Sequence, residues 1–179
     1  GTAVSAYTST QPYTFFNLYI SNSAGLNINS PMSVESLFQP ATPCIVNVNS
    51  DVTLKSLPAR TAFVGIIQPG AVINYTGSNA FIVERYIKTQ RKWQLLAVPT
   101  DNTGQTVLSS WAEGQANGVP GTAGLGTLIT GPVATGSGLD AVSLLYSLKY
   151  WDASVGTAGA YKFVTRKDTV VNPQQGYFL

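Results

Sequence analysis

The sequence predicts an all-β protein: the end of a β-solenoid, residues 1–75, followed by a β-sandwich-like domain, residues 76–179, with one short helix. Three observations predict it. Apolar residues alternate in short runs that recur about every ten residues, bounded by Asn, Ser, Gly or Pro. Only one window carries helical spacing. Polarity comes from Thr, Ser, Asn and Gly, because charged residues make up 10% of the chain, well below the roughly 25% usual in soluble domains.

Taken in order, "FFNLYIS" places Phe16, Leu18 and Ile20 on one side of a strand, and "GLNINS" repeats the pattern with Leu26 and Ile28. "MSVESLF", "CIVNVNS" and "DVTLKSL" continue it. Asn between the runs tolerates left-handed backbone and bonds locally, which favours solenoid turns over a plain β-meander, the alternative. "TAFVGII" and "AVINY" follow. Then two runs flank the polar knot Lys88-Thr89-Gln90-Arg91-Lys92. Phe81, Val83 and Arg85 alternate with Ile82, Glu84 and Tyr86, and Trp93, Leu95 and Ala97 with Gln94, Leu96 and Val98. This predicts a hairpin with a wet five-residue tip. In "TGQTVLSSWAEGQ", Val107, Leu108 and Trp111 share one helical face, so a helix is expected near 105–113 with Gly114 to end it. The Gly-rich stretch after it reads as a loop around one short strand, "TLIT". "SLLYSLKYWD", "AYKFVTRKDTVV" and "GYFL" read as strands from their β-branched and aromatic content.

Composition narrows the chemistry. With no His, a Ser-His-Asp arrangement has no base. With one Cys, Cys44, there is no internal disulfide and no Cys/His zinc site, and an apolar setting makes that thiol buried and inert. Net charge is +2, which makes no claim on nucleic acid. No apolar run reaches the roughly 18 residues of a transmembrane helix. The eight carboxylates are Glu35, Asp51, Glu84, Asp101, Glu113, Asp140, Asp152 and Asp168. Each sits beside a turn or on an alternating strand, where a solvated carboxylate is normal, so a glycosidase pair is not expected. "GTAGLG" at 121–126 lacks the Lys and Ser/Thr of a phosphate loop. Asp101-Asn102-Thr103 and Asp140 lack the spacing of a calcium loop. No cofactor or metal is expected. Two contact sites stay open. Arg91 and Lys92 read as a solvated tip, with an anionic-glycan or lipid-headgroup contact as the alternative. Trp93, Trp111 and Trp151 read as core, with a sugar-stacking platform as the alternative.

Seven segments then occur in a distinctive order: "DVTLKSLPARTAFVGII", "FIVERYI", "RKWQLLAVPT", "SSWAEG", "GLGTLITGP", "SLKYWD" and "PQQGYFL". In this order the chain resembles the β-rich region that precedes the C-terminal sorting domain in large Bacteroidota surface proteins and adhesins exported by type IX secretion. "NLYISNSAGLNINSPMSVESL" resembles the last solenoid turns of such proteins. The family pattern runs on past "GYFL" into a further strand and a basic turn, which this sequence does not contain. The resemblance implies a piece of a longer chain, displayed at or released from the cell surface, with the secretion machinery engaged through a domain outside it. Surface glycans or other surface proteins are the implied further partners. It assigns no catalytic residue. "DTV", Asp168-Thr169-Val170, matches the Asp-Ser/Thr-apolar pattern of O-glycosylation in the same bacteria, which makes Thr169 a candidate site; an ordinary strand end is the alternative. The expected function is a non-catalytic structural or adhesive segment. The alternatives are a carbohydrate-binding module or an accessory domain of a polysaccharide-degrading enzyme.

Overall fold

The computed structural model describes residues 13–77, 81–88, 92–100, 104–112, 126–132 and 136–179. Their regular structure is fourteen β-strands and one short helix, so the protein is all-β. The chain divides into two compact units, Gly1–Lys88 and Thr89–Leu179.

The first unit contains β1 (Tyr13–Ile20), β2 (Leu26–Ile28), β3 (Met32–Pro40), β4 (Ile45–Val48), β5 (Val52–Leu54), β6 (Ser56–Leu57), β7 (Arg60–Thr61), β8 (Phe63–Val64), β9 (Val72–Tyr75) and β10 (Phe81–Val83). Two parallel sheets dominate it, one in the order β1-β3-β5-β10 with β8 also on β3, the other β2-β4-β9. Parallel sheets ordinarily need both faces covered or strongly apolar strands. The two sheets here share one core, which covers one face of each and leaves Tyr19, Ile45, Phe63 and Val72 exposed on the other. β3 and β5 supply Val34, Phe38, Val52 and Leu54, and β2 and β4 supply Ile28, Val46 and Val48. Phe38 also meets Phe81 edge-on at 5.2 Å. Burying a side chain of this size contributes about 1.5–3 kcal/mol.

Polar side chains also bond from one parallel strand to the next. Asn47 donates to Asn27 at 2.7 Å, and Asn74 donates to Asn47 at 3.3 Å, along β2, β4 and β9. Just past the strand ends, Asn49 donates to Asn29 and Thr76 donates to Asn49, each at 2.7 Å. Some of the Asn residues that suggest turns are thus inside strands, stacked on their own kind. Gly25, at φ 81°, closes the turn before β2; a Cβ there would lie 2.0 Å from the Ile45 carbonyl oxygen.

β1 departs from simple alternation. Its register on β3 shifts between Phe15 and Asn17. Tyr13 and Phe15 oppose the buried Met32 and Val34, whereas Leu18 and Ile20 oppose the buried Phe38 and Pro40. Phe16 falls in the irregularity and points outward, beneath the Arg60 guanidinium at 5.1 Å. The expected inner trio Phe16, Leu18 and Ile20 therefore loses Phe16.

The second unit contains β11 (Leu95–Leu96), helix α1 (Val107–Trp111), β12 (Lys149–Asp152), β13 (Ala160–Phe163) and β14 (Tyr177–Phe178). Its strands form one antiparallel sheet in the order β11-β14-β12-β13. The expected hairpin across 81–98 does not form: β10 runs parallel along β5, and β11 pairs with β14. "TLIT" is not a strand either; only Thr130 bridges, to Asp140, although Ile129 is fully buried. α1 lies within the expected window. Thr106 caps it, accepting from the Ser109 N–H while the Ser109 hydroxyl accepts from the Thr106 N–H, and Val107 and Trp111 are its buried face. Gly114, the expected stop, lies outside the described residues. No helix among the described residues is long and apolar enough to cross a membrane.

Candidate functional site

The four-stranded sheet of the second unit has two unlike faces. Side chains alternate along a strand, and cross-strand partners share a face. One register row reads Leu95–Phe178–Lys149–Phe163 across all four strands, and the next pairs Trp151 with Tyr161. On the opposite face Leu96 and Tyr177 are buried, Tyr177 packing on Trp111 at 5.1 Å. The first face is open: Trp93 is 64% exposed, Leu95 75%, Trp151 41% and Tyr161 48%.

The rings on this face are arranged, not scattered. Trp151 meets Tyr161 at 5.0 Å and 78°, and Tyr161 meets Phe178 at 5.5 Å and 87°, both edge-to-face. Trp151 lies directly against Gly159, where a Cβ would come within 2.5 Å of the indole, and Gly159 is held at φ 74°. The Lys149 ammonium sits 4.0 Å from the Trp93 ring centre and 4.4 Å from that of Tyr161. Two cation–π contacts hold it in the middle of the face. No carboxylate among the described residues pairs with it.

The tryptophans thus part company. Trp111 is core, as its pattern suggests, but Trp93 and Trp151 are surface. A short strand in a one-sided sheet shows the same apolar alternation whichever apolar face turns to water, so sequence alone did not separate them. Lys92 is exposed next to Trp93, and Arg91 lies outside the described residues. Lys149 and Tyr161, which complete the face, carry no motif; only the pairing of β12 with β13 brings them together.

The carboxylates are dispersed and mostly bound to cations. Glu35 takes Arg60, Glu84 takes Lys55 at 2.5 Å, Asp152 takes Lys162 at 2.6 Å and Asp168 takes Arg166 in a two-point contact at 2.7 and 2.5 Å. Hydrogen bonds from Lys162 and Ser154 pull the Asp152 carboxyl down to about 2, and the Arg166 contact lowers that of Asp168. Asp51 is exposed, while Asp101 and Glu113 lie outside the described residues. Asp140 is the buried one. Lys167 Nζ reaches it at 3.0 Å and the Ile129 N–H at 2.7 Å, with both charged side chains almost wholly out of water. Asp140 therefore has a buried lysine as its cation rather than the open oxygen shell of a calcium loop. Among the described residues no group of three His, Cys, Asp or Glu could hold a metal ion. Most of "GTAGLG" and all of Asp101-Asn102-Thr103 lie outside the described residues. Cys44 is buried in the first unit's core.

Thr169 is half-buried beside the exposed Asp168. Its N–H donates to the Arg166 carbonyl at 3.3 Å, and its own carbonyl accepts from Val107 at 2.9 Å. No family model, curated protein or solved structure matches the chain.

Proposed function

We propose that the chain is a non-catalytic structural or adhesive segment of a secreted bacterial cell-surface protein, in which a β-solenoid end is followed by a β-sandwich-like domain. One observation carries this reading: the parallel stack of the first unit, with polar side chains bonded from one strand to its counterpart in the next repeat. Such stacks are quasi-one-dimensional scaffolds, extended by repetition and suited to holding something at a distance from a surface. In this reading the second unit ends the repeat, and a longer chain, the export machinery and surface partners supply the rest. Deleting residues 13–179 from the parent protein in its native host tests it. Loss of attachment or surface assembly with export intact is the expected result. Turnover of a polysaccharide, peptide or ester by the purified chain, abolished by changing one Asp or Glu, would overturn it.

A second reading, a carbohydrate-binding module, is favoured by the exposed face that carries Trp93 and Trp151. Sugar rings stack their C–H faces on such side chains, and a module of this kind serves equally in an adhesin or beside a polysaccharide-degrading enzyme.

A further inference from the structure

We propose that the open face of the β11-β14-β12-β13 sheet binds an acidic polysaccharide, one whose sugar rings bear carboxylates, with Trp93 and Trp151 as stacking surfaces and Lys149 as the anion contact. The proposal deepens the carbohydrate-binding reading and rests on it.

Three features of the face support it. The first is apolar exposure of aromatic type. Contiguous patches of this kind on a protein surface mark contact sites, and this one spans every strand of the sheet. The second is fixity. Trp151 is held by Gly159 on one side and the perpendicular Tyr161 ring on another, and its carbonyl accepts from the Gln175 side chain at 3.1 Å. A ring already in place loses little freedom when a ligand stacks on it. The third is charge. Among Trp93, Leu95, Lys149, Trp151, Tyr161, Phe163 and Phe178 the one charged group is a cation. Its ammonium touches Trp93 on one side and Tyr161, the cross-strand partner of Trp151, on the other. Lys149 therefore lies between Trp93 and Tyr161, with ring faces taking the place of water on those two sides. A carboxylate arriving there answers a cation that no carboxylate among the described residues pairs with, whereas a neutral sugar leaves the charge unanswered. The perpendicular ring pairs make the surface ridged, which suits a chain of puckered sugar rings better than a flat plate of aromatic heterocycles.

The test uses the purified chain with polygalacturonate and, as a neutral comparison, dextran and cellohexaose, in affinity electrophoresis and calorimetry. Lys149→Met keeps the stem and removes the charge; Trp151→Ala removes a stacking surface. Circular dichroism checks that both variants keep their strands. Polygalacturonate is expected to bind, more weakly as salt is raised. Lys149→Met is expected to weaken it at least tenfold, and Trp151→Ala to weaken it as well. Binding of neutral glycans at equal strength, or polygalacturonate binding indifferent to Lys149→Met, would overturn the acidic specificity and leave the carbohydrate reading standing. No binding to any glycan would remove both. A concentration-dependent dimer of the wild-type chain that Trp151→Ala dissolves, without glycan binding, would mean that a second copy covers the face, and would also overturn the proposal.

Discussion

Asp140 and Lys167 form a buried ion pair where loops of the second unit meet. Both charges are out of water, and the carboxylate also receives the Ile129 N–H. Backbone bonds close the same ring: Asp140 N–H donates to the Ile129 carbonyl at 2.9 Å and Lys167 N–H to that of Ser137 at 2.8 Å. A buried pair of this kind need not stabilise the fold relative to two apolar residues, but removing one partner strands the other charge. Lys167→Met is therefore expected to cost about 3–5 kcal/mol, read as a shift in the urea midpoint. Reversion of most of that loss in the Lys167→Met, Asp140→Leu double variant would show that the stranded charge is the cause. The surface pair Asp152–Lys162 behaves differently. The folded carboxyl, at about 2, lies below its ordinary 3.8, so the pairing is intact above that ordinary value and is lost as pH falls through about 2. In Lys162→Met the Asp152 titration, followed by carboxyl carbon NMR, is expected to move up but stay below its ordinary 3.8, because the Ser154 hydrogen bonds remain. None of these pairings was legible in the sequence. Asp140 and Lys167 are ordinary loop residues in composition, and only the fold places them together.

Among the elements, the strands with strict alternation and a Gly, Asn or Pro boundary were legible: β2, β4 and β5 lie where "GLNINS", "CIVNVNS" and "DVTLKSL" put them. What failed was partner choice. The knot at 88–92 looks like a hairpin tip because both flanks are strand-like, yet pairing is decided by which neighbour offers a matching edge, and β5 and β14 offer it. The capped helix was legible from its apolar face but not in its brevity, five residues. So short a helix leans on its cap, and Thr106→Ala is expected to lower the stability of the second unit by about 1 kcal/mol, seen in thermal or urea unfolding. The Asn ladder allows a parallel measurement in the first unit. Asn47 makes one side-chain bond on each side, and at about 0.5–1.5 kcal/mol each Asn47→Ala should cost roughly 1–2 kcal/mol, less the part recovered by water at an exposed site. A neutral effect would mean that the ladder follows the strands and does not help hold them.

At the scale of the molecule the two units differ in how far apart along the chain their partners lie. In the first unit the bonds Asn47–Asn27, Asn74–Asn47 and Lys55–Glu84 span 20, 27 and 29 residues. In the second, Leu95 meets Phe178, and β14 sits between β11 and β12. All three tryptophans belong to the second unit, so their fluorescence follows the unfolding of that unit. Tyr177→Ala removes a buried ring that touches Trp111 and Tyr150 and whose hydroxyl accepts the Asn172 N–H. A loss of about 3–5 kcal/mol is expected, read from the tryptophan signal.

The position of β14 also sets a clock. Loop closure is cheap for nearby segments, so the parallel strands of the first unit can assemble one after another as the chain emerges from the ribosome. The second sheet must wait. β11 has no partner and β12 has one open side until Tyr177 and Phe178 have been made, several seconds later at roughly 5–20 residues per second. During that interval Trp93 and Leu95 are presented to the cell with no finished strand beside them, and the β12–β13 pair with one edge open. Stalled nascent chains ending before Tyr177 should therefore leave Trp111 open to quenchers and attract holding chaperones, while the first unit in the same chains already resists protease.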